Sequence, residues 1–172
     1  MKVVINPKKL NPNDSWQFFR KVRAVIENDF GHIAITIEGG KCIFPGGKCD
    51  KNEDELSAIK REIKEEMGIE FEFSDFNKVL ELETLYDDWI DFRPGSIRPR
   101  HTVTTYYYVK TNKKIDVEKM SLTEDEKKEN FKVLFLDKET LIRMLLEDHS
   151  SAMNGKIFDE ENQIIVNNIL KK

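Results

Sequence analysis

The sequence predicts a single α+β domain spanning residues 1–172, and three observations support that class. A chain of 172 residues has the size of one domain and can bury about 70% of its unfolded surface. Strand-like segments stand on both sides of one strongly periodic helix, which is the element order of a mixed α+β fold. No apolar run approaches the roughly 18 residues of a membrane span, and the first residues lack a signal peptide. We therefore expect a cytoplasmic protein with no membrane partner.

The first elements are predicted to be strands. Residues 1–19 are expected to form an N-terminal extension with a short edge strand and a loop. The segments 21–27 and 32–37 are rich in Val, Ile and Ala, and the turn sequence at 28–31 joins them into a hairpin. A short strand over 41–44 ends at a Pro-Gly-Gly turn, where two glycines permit backbone angles that other residues cannot reach.

The best-defined helix is predicted over residues 53–67. Its apolar residues recur at spacings of three and four, which places them on one face; they are Leu56, Ile59, Ile63 and Met67. Asn52 is the expected N-cap, and Gly68 follows the last periodic residue, as glycine does at many helix C-termini.

The second half returns to strands and ends in helices. Strands are predicted near Phe71 and over 79–86, 102–110 and 131–136, with a long loop over 87–100. A helix is predicted at about 138–147 and a C-terminal helix within 155–172. The apolar face of the last helix is suited to capping the core or to forming a homodimer, and the sequence leaves both open.

Three acids of the first helix share one face. Glu62, Glu65 and Glu66 fall within about 100° of one another, beside the apolar face. Like charges at these spacings repel unless a cation neutralises them. Hard oxygen ligands on a rigid face suit Mg²⁺ or Mn²⁺. The alternative interpretation is an ordinary solvated helix surface, which is the common state of charged residues.

The residues around these acids match a longer pattern. The segment 47–69, GKCDKNEDELSAIKREIKEEMGI, fits G-x5-E-x7-R-E-U-x-E-E-x-G-U at every position, with U a bulky apolar residue. Chance would produce such a match on the order of 10⁻⁹ times per starting position at average residue usage. The segment resembles the Nudix box, the signature of the Nudix hydrolase family.

The resemblance implies a fold, a cofactor and a site. It implies an α/β/α sandwich around a mixed β-sheet, with Mg²⁺ or Mn²⁺ as the cofactor. Glu53 and Arg61 would brace the loop and orient the ligands. The metal ligands that it implies are Glu62, Glu65, Glu66 and the carbonyl group of Gly46.

The resemblance also implies the reaction. Family members cleave a diphosphate bond in a nucleoside diphosphate linked to another group, by attack of water at phosphorus. Such a reaction needs positioning and charge neutralisation more than a covalent nucleophile. The base that activates water is expected to be Glu65 or Glu66 of the catalytic acids, or an acid from a loop. The loop candidates are Glu129 first, then Glu126 and Glu124, although a solvated acidic linker is the alternative for all three.

Substrate-binding residues are predicted in and near the loop over 87–100. Arg93, Arg98 and Arg100 lie there among aromatic residues and prolines, a mixture suited to holding polyphosphate and stacking a base. An ordinary surface loop is the alternative. Tyr86 stands near the position where dinucleoside polyphosphate hydrolases of the family carry a tyrosine, but simple packing would also explain it.

Three functions are therefore compared. The leading hypothesis is a Mg²⁺-dependent pyrophosphohydrolase of a nucleoside triphosphate, a dinucleoside polyphosphate or a related nucleotide. A non-catalytic nucleotide-binding regulator on the same fold and a pyrophosphohydrolase of RNA 5′ ends are the alternatives. A net charge of −4 and a pI of about 5.5 do not favour a stable nucleic-acid partner.

Overall fold

The computed structural model describes most of the chain. The described residues are 1–14, 17–38, 40–90, 99–147 and 154–171, without the side chain of Asp125. Their strands form one seven-stranded sheet, in the order β1-β5-β6-β2-β3-β4, with β7 paired to β3. The strands are β1 Lys2–Ile5, β2 Gln17–Asn28, β3 Ile33–Glu38, β4 Lys41–Ile43, β5 Asn77–Tyr86, β6 Arg100–Thr111 and β7 Lys132–Leu136.

The sheet is mixed, as predicted. β1 runs parallel to β5 and β2 runs parallel to β6, whereas the other pairs are antiparallel. The predicted hairpin is present, with Glu27 opposite Ile33. β1 is the edge strand expected in the N-terminal extension, and β2 begins at Gln17, still inside that extension.

Helices cover both faces of the sheet, which confirms the α/β/α sandwich. They are α1 Glu55–Met67, α2 Glu124–Lys128, α3 Lys138–Leu145 and α4 Gly155–Ile165, the last continued by a π-helical turn over Val166–Leu170. The apolar side of α1 packs on one sheet face with Val22 and Ala24. Leu141 of α3 and Ile165 of α4 pack on the opposite face. In the described ranges, no helix is long and apolar enough to cross a bilayer.

Two predicted details of the α1 region are wrong. The N-cap is Asp54, whose carboxylate accepts hydrogen bonds from the backbone N–H groups of Leu56 and Ser57 at 3.0 Å each. Asn52 instead adopts a φ of +68°, which serves the turn before the helix. Phe71 lies in no strand, and its ring packs in the core against Phe76. Gly68 ends the helix at a φ of +67°, as predicted.

The acidic segment before β7 contains a short helix, α2, for which the sequence analysis predicted no element. Its first turn is closed by Glu126, whose carboxylate accepts hydrogen bonds from the backbone N–H of Thr123 at 2.6 Å and from its hydroxyl at 2.8 Å. The segment before it is tied to α1, because the backbone N–H of Ser121 donates to the carbonyl of Glu65 at 2.8 Å. This tether brings α2 near the acidic face of α1.

Candidate active site

The Pro-Gly-Gly loop lies directly against β2. The backbone N–H of Val22 donates to the carbonyl of Gly47 at 2.9 Å, and that of Ala24 donates to the carbonyl of Pro45 at 2.8 Å. Gly46 has a φ of +128°, and a Cβ there would collide with the carbonyl of Val22. Only glycine therefore allows this loop to approach the strand so closely.

Arg61 gathers three carboxylates around one guanidinium group. Its Nε and Nη2 atoms donate to the two oxygens of Glu53 at 3.0 and 2.9 Å. Its Nη1 atom donates to Glu62 at 2.8 Å and to Glu65 at 3.1 Å. The two residues predicted as a brace are thus in direct contact, and their ion pair fixes α1 relative to the loop.

Glu66 is the most deeply buried of the predicted ligands. Its side chain is 5% exposed and accepts a hydrogen bond from the backbone N–H of Gly46 at 2.8 Å. Burial raises the pKa of Glu66 to about 8, against the lowering effect of Arg23 and of the Gly46 hydrogen bond. A further positive charge beside Glu66 would therefore favour its ionised form.

Glu62 occupies space that a side chain at position 47 would fill. A Cβ on Gly47 would lie 2.5 Å from the carboxyl carbon and both oxygens of Glu62. Burial also raises the pKa of Glu62, although Arg61 opposes that effect. The absence of a side chain at Gly47 therefore gives this acid its place beside the loop.

These donors fit a divalent cation. Three carboxylates and the Gly46 carbonyl are the hard oxygen ligands that Mg²⁺ and Mn²⁺ prefer, and burial raises the pKa of two of the acids, Glu62 and Glu66. Within the part of the chain that the structure describes, no three acidic, histidine or cysteine side chains converge at metal-binding distance. Arg61 draws Glu62 and Glu65 to itself, and Glu66 is held by the Gly46 amide.

Three cationic side chains lie next to this site, on the opposite face of the sheet. They are Lys21 and Arg23 of β2 and Arg100 of β6, and the region that they line is called the cationic cleft. Val22 and Ala24 of β2 point toward α1, so the alternating residues Lys21 and Arg23 point toward α4. The guanidinium group of Arg23 donates to the carbonyl of Phe44 at 3.0 Å and forms a short hydrogen bond with the carbonyl of Gly46. Arg23 therefore connects the cleft to the loop that binds Glu66.

The register of three central strands defines the floor of the cleft. Phe19 of β2 pairs with Thr102 of β6, which in turn pairs with Thr84 of β5. Lys21 of β2 pairs with Thr104 of β6. Thr84 and Thr102 are buried, so these hydroxyl groups are polar groups inside the sandwich. A polar strip therefore interrupts the apolar packing between the sheet and α4.

Arg100 stands at the outer end of the cleft. Its guanidinium carbon lies 4.2 Å from the ring centroid of Phe19 and 4.2 Å from that of Trp89, distances typical of cation–π contacts. The structure thus brings this predicted substrate-binding residue to the cleft. Arg93 and Arg98 lie outside the described residues.

The helix α4 supplies an acidic side chain to the same cleft. Glu161 interacts electrostatically with Lys21, Arg100 and Arg23. Burial raises the pKa of Glu161, and the same burial lowers that of Lys21. The charge of this carboxylate on α4 is therefore felt by cations of β2 and β6.

Three other predicted residues lie at the borders of the site. Tyr86 is buried beside Trp89, and its hydroxyl donates to Glu160 at 2.8 Å. Glu129 is exposed after α2 and interacts electrostatically with Glu38, whereas Glu126 interacts with Glu66 itself. Of the two acids, only Glu126 contributes to the raised pKa of Glu66, whereas both contribute to that of Glu38.

Sequence reasoning missed Lys21, Arg23 and Glu161. The alternation Lys-Val-Arg-Ala in a strand was a usable signal, because it places two cations on the face opposite to the apolar residues. Nothing local marks Glu161 among the neighbouring acids of α4. Its position becomes meaningful only when the helix packs on the sheet.

Comparisons with known proteins identify one family. Residues 17–153 match the family model described as the NUDIX domain. A 51-residue stretch, 26% of this chain, is 45% identical to the 8-oxo-dGTP diphosphatase of Haemophilus influenzae, and the match spans only 38% of that protein.

Solved structures share the fold. The MutT protein of Methanosarcina mazei matches over 87% of this chain and 98% of its own, with a TM-score of 0.55 and 15% identity. A MutT NUDIX hydrolase from Burkholderia pseudomallei matches over 72% of this chain and 85% of its own, with a TM-score of 0.52 and 22% identity.

Proposed function

Because this chain belongs to the Nudix hydrolase family, we propose that it is a Mg²⁺- or Mn²⁺-dependent pyrophosphohydrolase of a nucleotide. The substrate is a nucleoside diphosphate linked to another group, such as a nucleoside triphosphate or a dinucleoside polyphosphate. The observation that carries the proposal is the complete box, in which Glu66 accepts a hydrogen bond from Gly46 and Arg61 holds Glu62 and Glu65. The cytoplasm is the proposed location.

The metal would be held by Glu62, Glu65, Glu66 and the Gly46 carbonyl. A bound divalent cation neutralises phosphate oxygens and lowers the pKa of a bound water. Arg61 keeps Glu62 and Glu65 near each other, and its pairing with Glu53 fixes the angle at which α1 presents them. The protein thereby supplies a prearranged acidic face whose charge balance is completed only by a cation.

The cleft on the other sheet face would bind the substrate. Arg23 lies between that cleft and the Gly46 loop, so a phosphate that contacts Arg23 is next to the acids of α1. Lys21 and Arg100 extend the positive charge away from the reacting bond. Guanidinium groups donate two parallel hydrogen bonds to phosphate, which gives orientation as well as affinity. The rest of the nucleotide would then lie toward Trp89.

Glu126 is the proposed loop-borne base. Its carboxylate accepts hydrogen bonds from Thr123, and its charge contributes to the raised pKa of Glu66, which supports a place near the acidic face. Glu129, the sequence-based first choice, stays a candidate because it lies three residues away. Whichever of the two residues is the base, its substitution should lower kcat without a matching loss of substrate affinity.

A panel of nucleotides with product identification by mass spectrometry tests the proposal. Because a partial relative is named 8-oxo-dGTP diphosphatase, 8-oxo-dGTP belongs in the panel beside the ordinary nucleoside triphosphates and dinucleoside polyphosphates. We expect release of a nucleoside monophosphate with either pyrophosphate or a shortened phosphate chain, only when Mg²⁺ or Mn²⁺ is present.

Glu65→Gln and Glu66→Gln keep the shape of each side chain and remove its charge. Each is expected to lower kcat by about 10²–10⁴-fold. Lys64→Gln is the matched control, because Lys64 is exposed on the same helix and pairs with Glu70 at 2.7 Å, away from the site. Full activity in both glutamate variants would refute the assigned mechanism.

A further inference from the structure

Phe19 of β2 is an aromatic residue of the cationic cleft that has no role in the proposed function. It pairs with Thr102 of β6, and the alternation of side chains along β2 places it on the same face as Lys21. Arg100 of β6 pairs with Gln17, which lies two residues before Phe19 in β2. The ring of Phe19 and the side chain of Arg100 are therefore diagonal neighbours on one face of the sheet.

The guanidinium group of Arg100 lies against two aromatic rings. Its central carbon is 4.2 Å from the ring centroid of Phe19 and 4.2 Å from that of Trp89. Trp89 is 9% exposed, and its ring makes an edge contact with Phe158 of α4 at a centroid distance of 5.9 Å. The packing of α4 thus anchors Trp89, whereas the pairing of β2 with β6 anchors Phe19. Two independently anchored rings contact one guanidinium group.

Contact with an aromatic ring constrains a cation without using its hydrogen-bond donors. The ring face attracts positive charge, and the guanidinium N–H groups remain the atoms that donate to phosphate oxygens. An arginine side chain loses considerable rotamer freedom when a ligand fixes it. Rings that fix the side chain beforehand reduce this loss and thereby strengthen ligand binding.

We propose that Phe19 is a positioning residue for substrate binding, whose ring holds Arg100 in the conformation that receives a phosphate group of the ligand. This inference rests on the proposed function, because that function assigns Arg100 to the substrate. Phe19 acts through Arg100 and does not touch the reacting bond. Its loss should therefore weaken ligand binding and leave the chemical step nearly unchanged.

A second cation lies near the same ring. The ammonium group of Lys48, in the loop before α1, is 4.7 Å from the ring centroid of Phe19. The backbone carbonyl of Lys48 accepts a hydrogen bond from Arg61 at 3.1 Å, so the loop has a support of its own. If Phe19 acts through Arg100, its effect must disappear when Arg100 is removed and persist when Lys48 is removed. A double-mutant cycle separates the two cations.

The test uses inorganic pyrophosphate as the probe, in metal-free buffer, measured by isothermal titration calorimetry on the full chain. We expect Phe19→Leu to bind pyrophosphate about three- to tenfold more weakly than the unmodified protein, as for the loss of one cation–π contact. Phe19→Tyr keeps an aromatic ring, so its affinity should stay within about twofold. Phe18→Leu is the matched control and should bind normally, because Phe18 is 53% exposed on the opposite face of β2 and contacts His101.

The double variants complete the test. Phe19→Leu should cause no further loss of affinity in the Arg100→Met background and its full loss in the Lys48→Met background. Thermal unfolding is recorded for each variant, and Phe19→Met gives the same test if Phe19→Leu does not fold. Unchanged affinity in the folded variant, an equal loss in Phe18→Leu, or a protein that does not bind pyrophosphate would overturn the proposal. An effect that disappears in the Lys48→Met background would overturn the assignment to Arg100.

Failure of this proposal can be distinguished from failure of the proposed function. Pyrophosphate binding involves neither nucleotide nor turnover, so unchanged affinity in Phe19→Leu would leave the hydrolase proposal standing. A nucleotide panel without turnover would likewise leave the pyrophosphate series standing. With a nucleotide that is hydrolysed, Phe19→Leu should raise KM about three- to tenfold and keep kcat within about twofold. A fall in kcat with an unchanged KM would overturn the positioning role.

Discussion

The guanidinium group of Arg61 and the carboxylate of Glu53 form a two-point ion pair, with N–O distances of 3.0 and 2.9 Å. This pair spans the turn before α1 and the middle of that helix. Lysine cannot reproduce two parallel hydrogen bonds from one planar group. The pair therefore sets the orientation of the helix that presents the acids.

Arg61→Lys should reduce both stability and activity. We expect a loss of about 1–3 kcal/mol in the free energy of unfolding, since charge-assisted hydrogen bonds to partly buried groups are removed. We expect kcat to fall at least about tenfold, because Glu62 and Glu65 lose their common donor. Urea denaturation and steady-state kinetics measure the two effects. A variant with full kcat would show that the brace does not position the acids.

The two glycines of the loop should respond differently to alanine. Gly46→Ala should destabilise the fold, because the residue has a φ of +128° and a Cβ would strike the Val22 carbonyl. Gly47→Ala should leave most of the stability and impair the site, because its Cβ would displace the Glu62 carboxylate. Thermal unfolding and Mg²⁺ titration separate these outcomes. Normal Mg²⁺ affinity in Gly47→Ala would show that the Glu62 carboxylate does not need the space beside Gly47 to bind the metal.

Mg²⁺ binding should strengthen with pH. The pKa of Glu66 is raised by burial to about 8, so below that pH the metal-free folded protein holds a proton that a cation must displace. The raised pKa also means that the metal-free protein loses stability as pH rises from the unfolded value toward 8. We expect apparent Mg²⁺ affinity to increase up to about tenfold per pH unit below pH 8 and to level off above it.

Calorimetry between pH 6 and 9 checks this dependence. The Arg23 guanidinium and the Gly46 amide oppose the shift, and Glu62 and Glu126 add to it. Glu66→Gln is the informative variant, because it should weaken Mg²⁺ binding and flatten the pH dependence. An equally steep dependence in that variant would assign the proton to another group.

Arg100→Met should raise KM more than it lowers kcat. The side chain lies in the cleft away from the acids of α1, so its loss removes uniform binding of the substrate. We expect an increase in KM of about 10–100-fold, as for the loss of one charge-assisted contact. Lys110→Met is the control on the same strand, because Lys110 is exposed near Glu27 at the other end of β6. A rise in KM for both variants would indicate a general charge effect.

Substitutions distinguish the roles of Glu126, which lies in α2, and Glu129, which directly follows that helix. Glu126→Gln should lower kcat by about 10²–10⁴-fold if it is the loop-borne base, and Glu129→Gln should have a smaller effect. Glu124→Gln is the control, since this exposed acid pairs with Lys127 at 2.8 Å. Single-turnover kinetics measures the chemical step directly. The reverse order of effects would return the role to Glu129.

The sequence by itself determined the acidic face of α1 and the fold class. Periodicity placed Glu62, Glu65 and Glu66 beside the apolar residues, and the box pattern identified the family. These features are encoded within 23 consecutive residues, where helix geometry relates spacing to direction. The same local logic located the strands and the glycine at the end of α1. It failed at the helix start, because the choice between Asn52 and Asp54 depends on the turn before them.

Only the tertiary structure decided what faces the acids. Arg23 lies in β2 and Gly46 lies in the loop after β4. Glu161 is about 100 residues away from α1 in the sequence. The register of β5, β6 and β2 brings threonines and cations into one strip, and the packing of α4 sets a carboxylate above it. Such relations depend on the pairing of distant segments, which local periodicity does not specify. The chain thus encodes its acidic site locally and its cationic cleft through long-range packing.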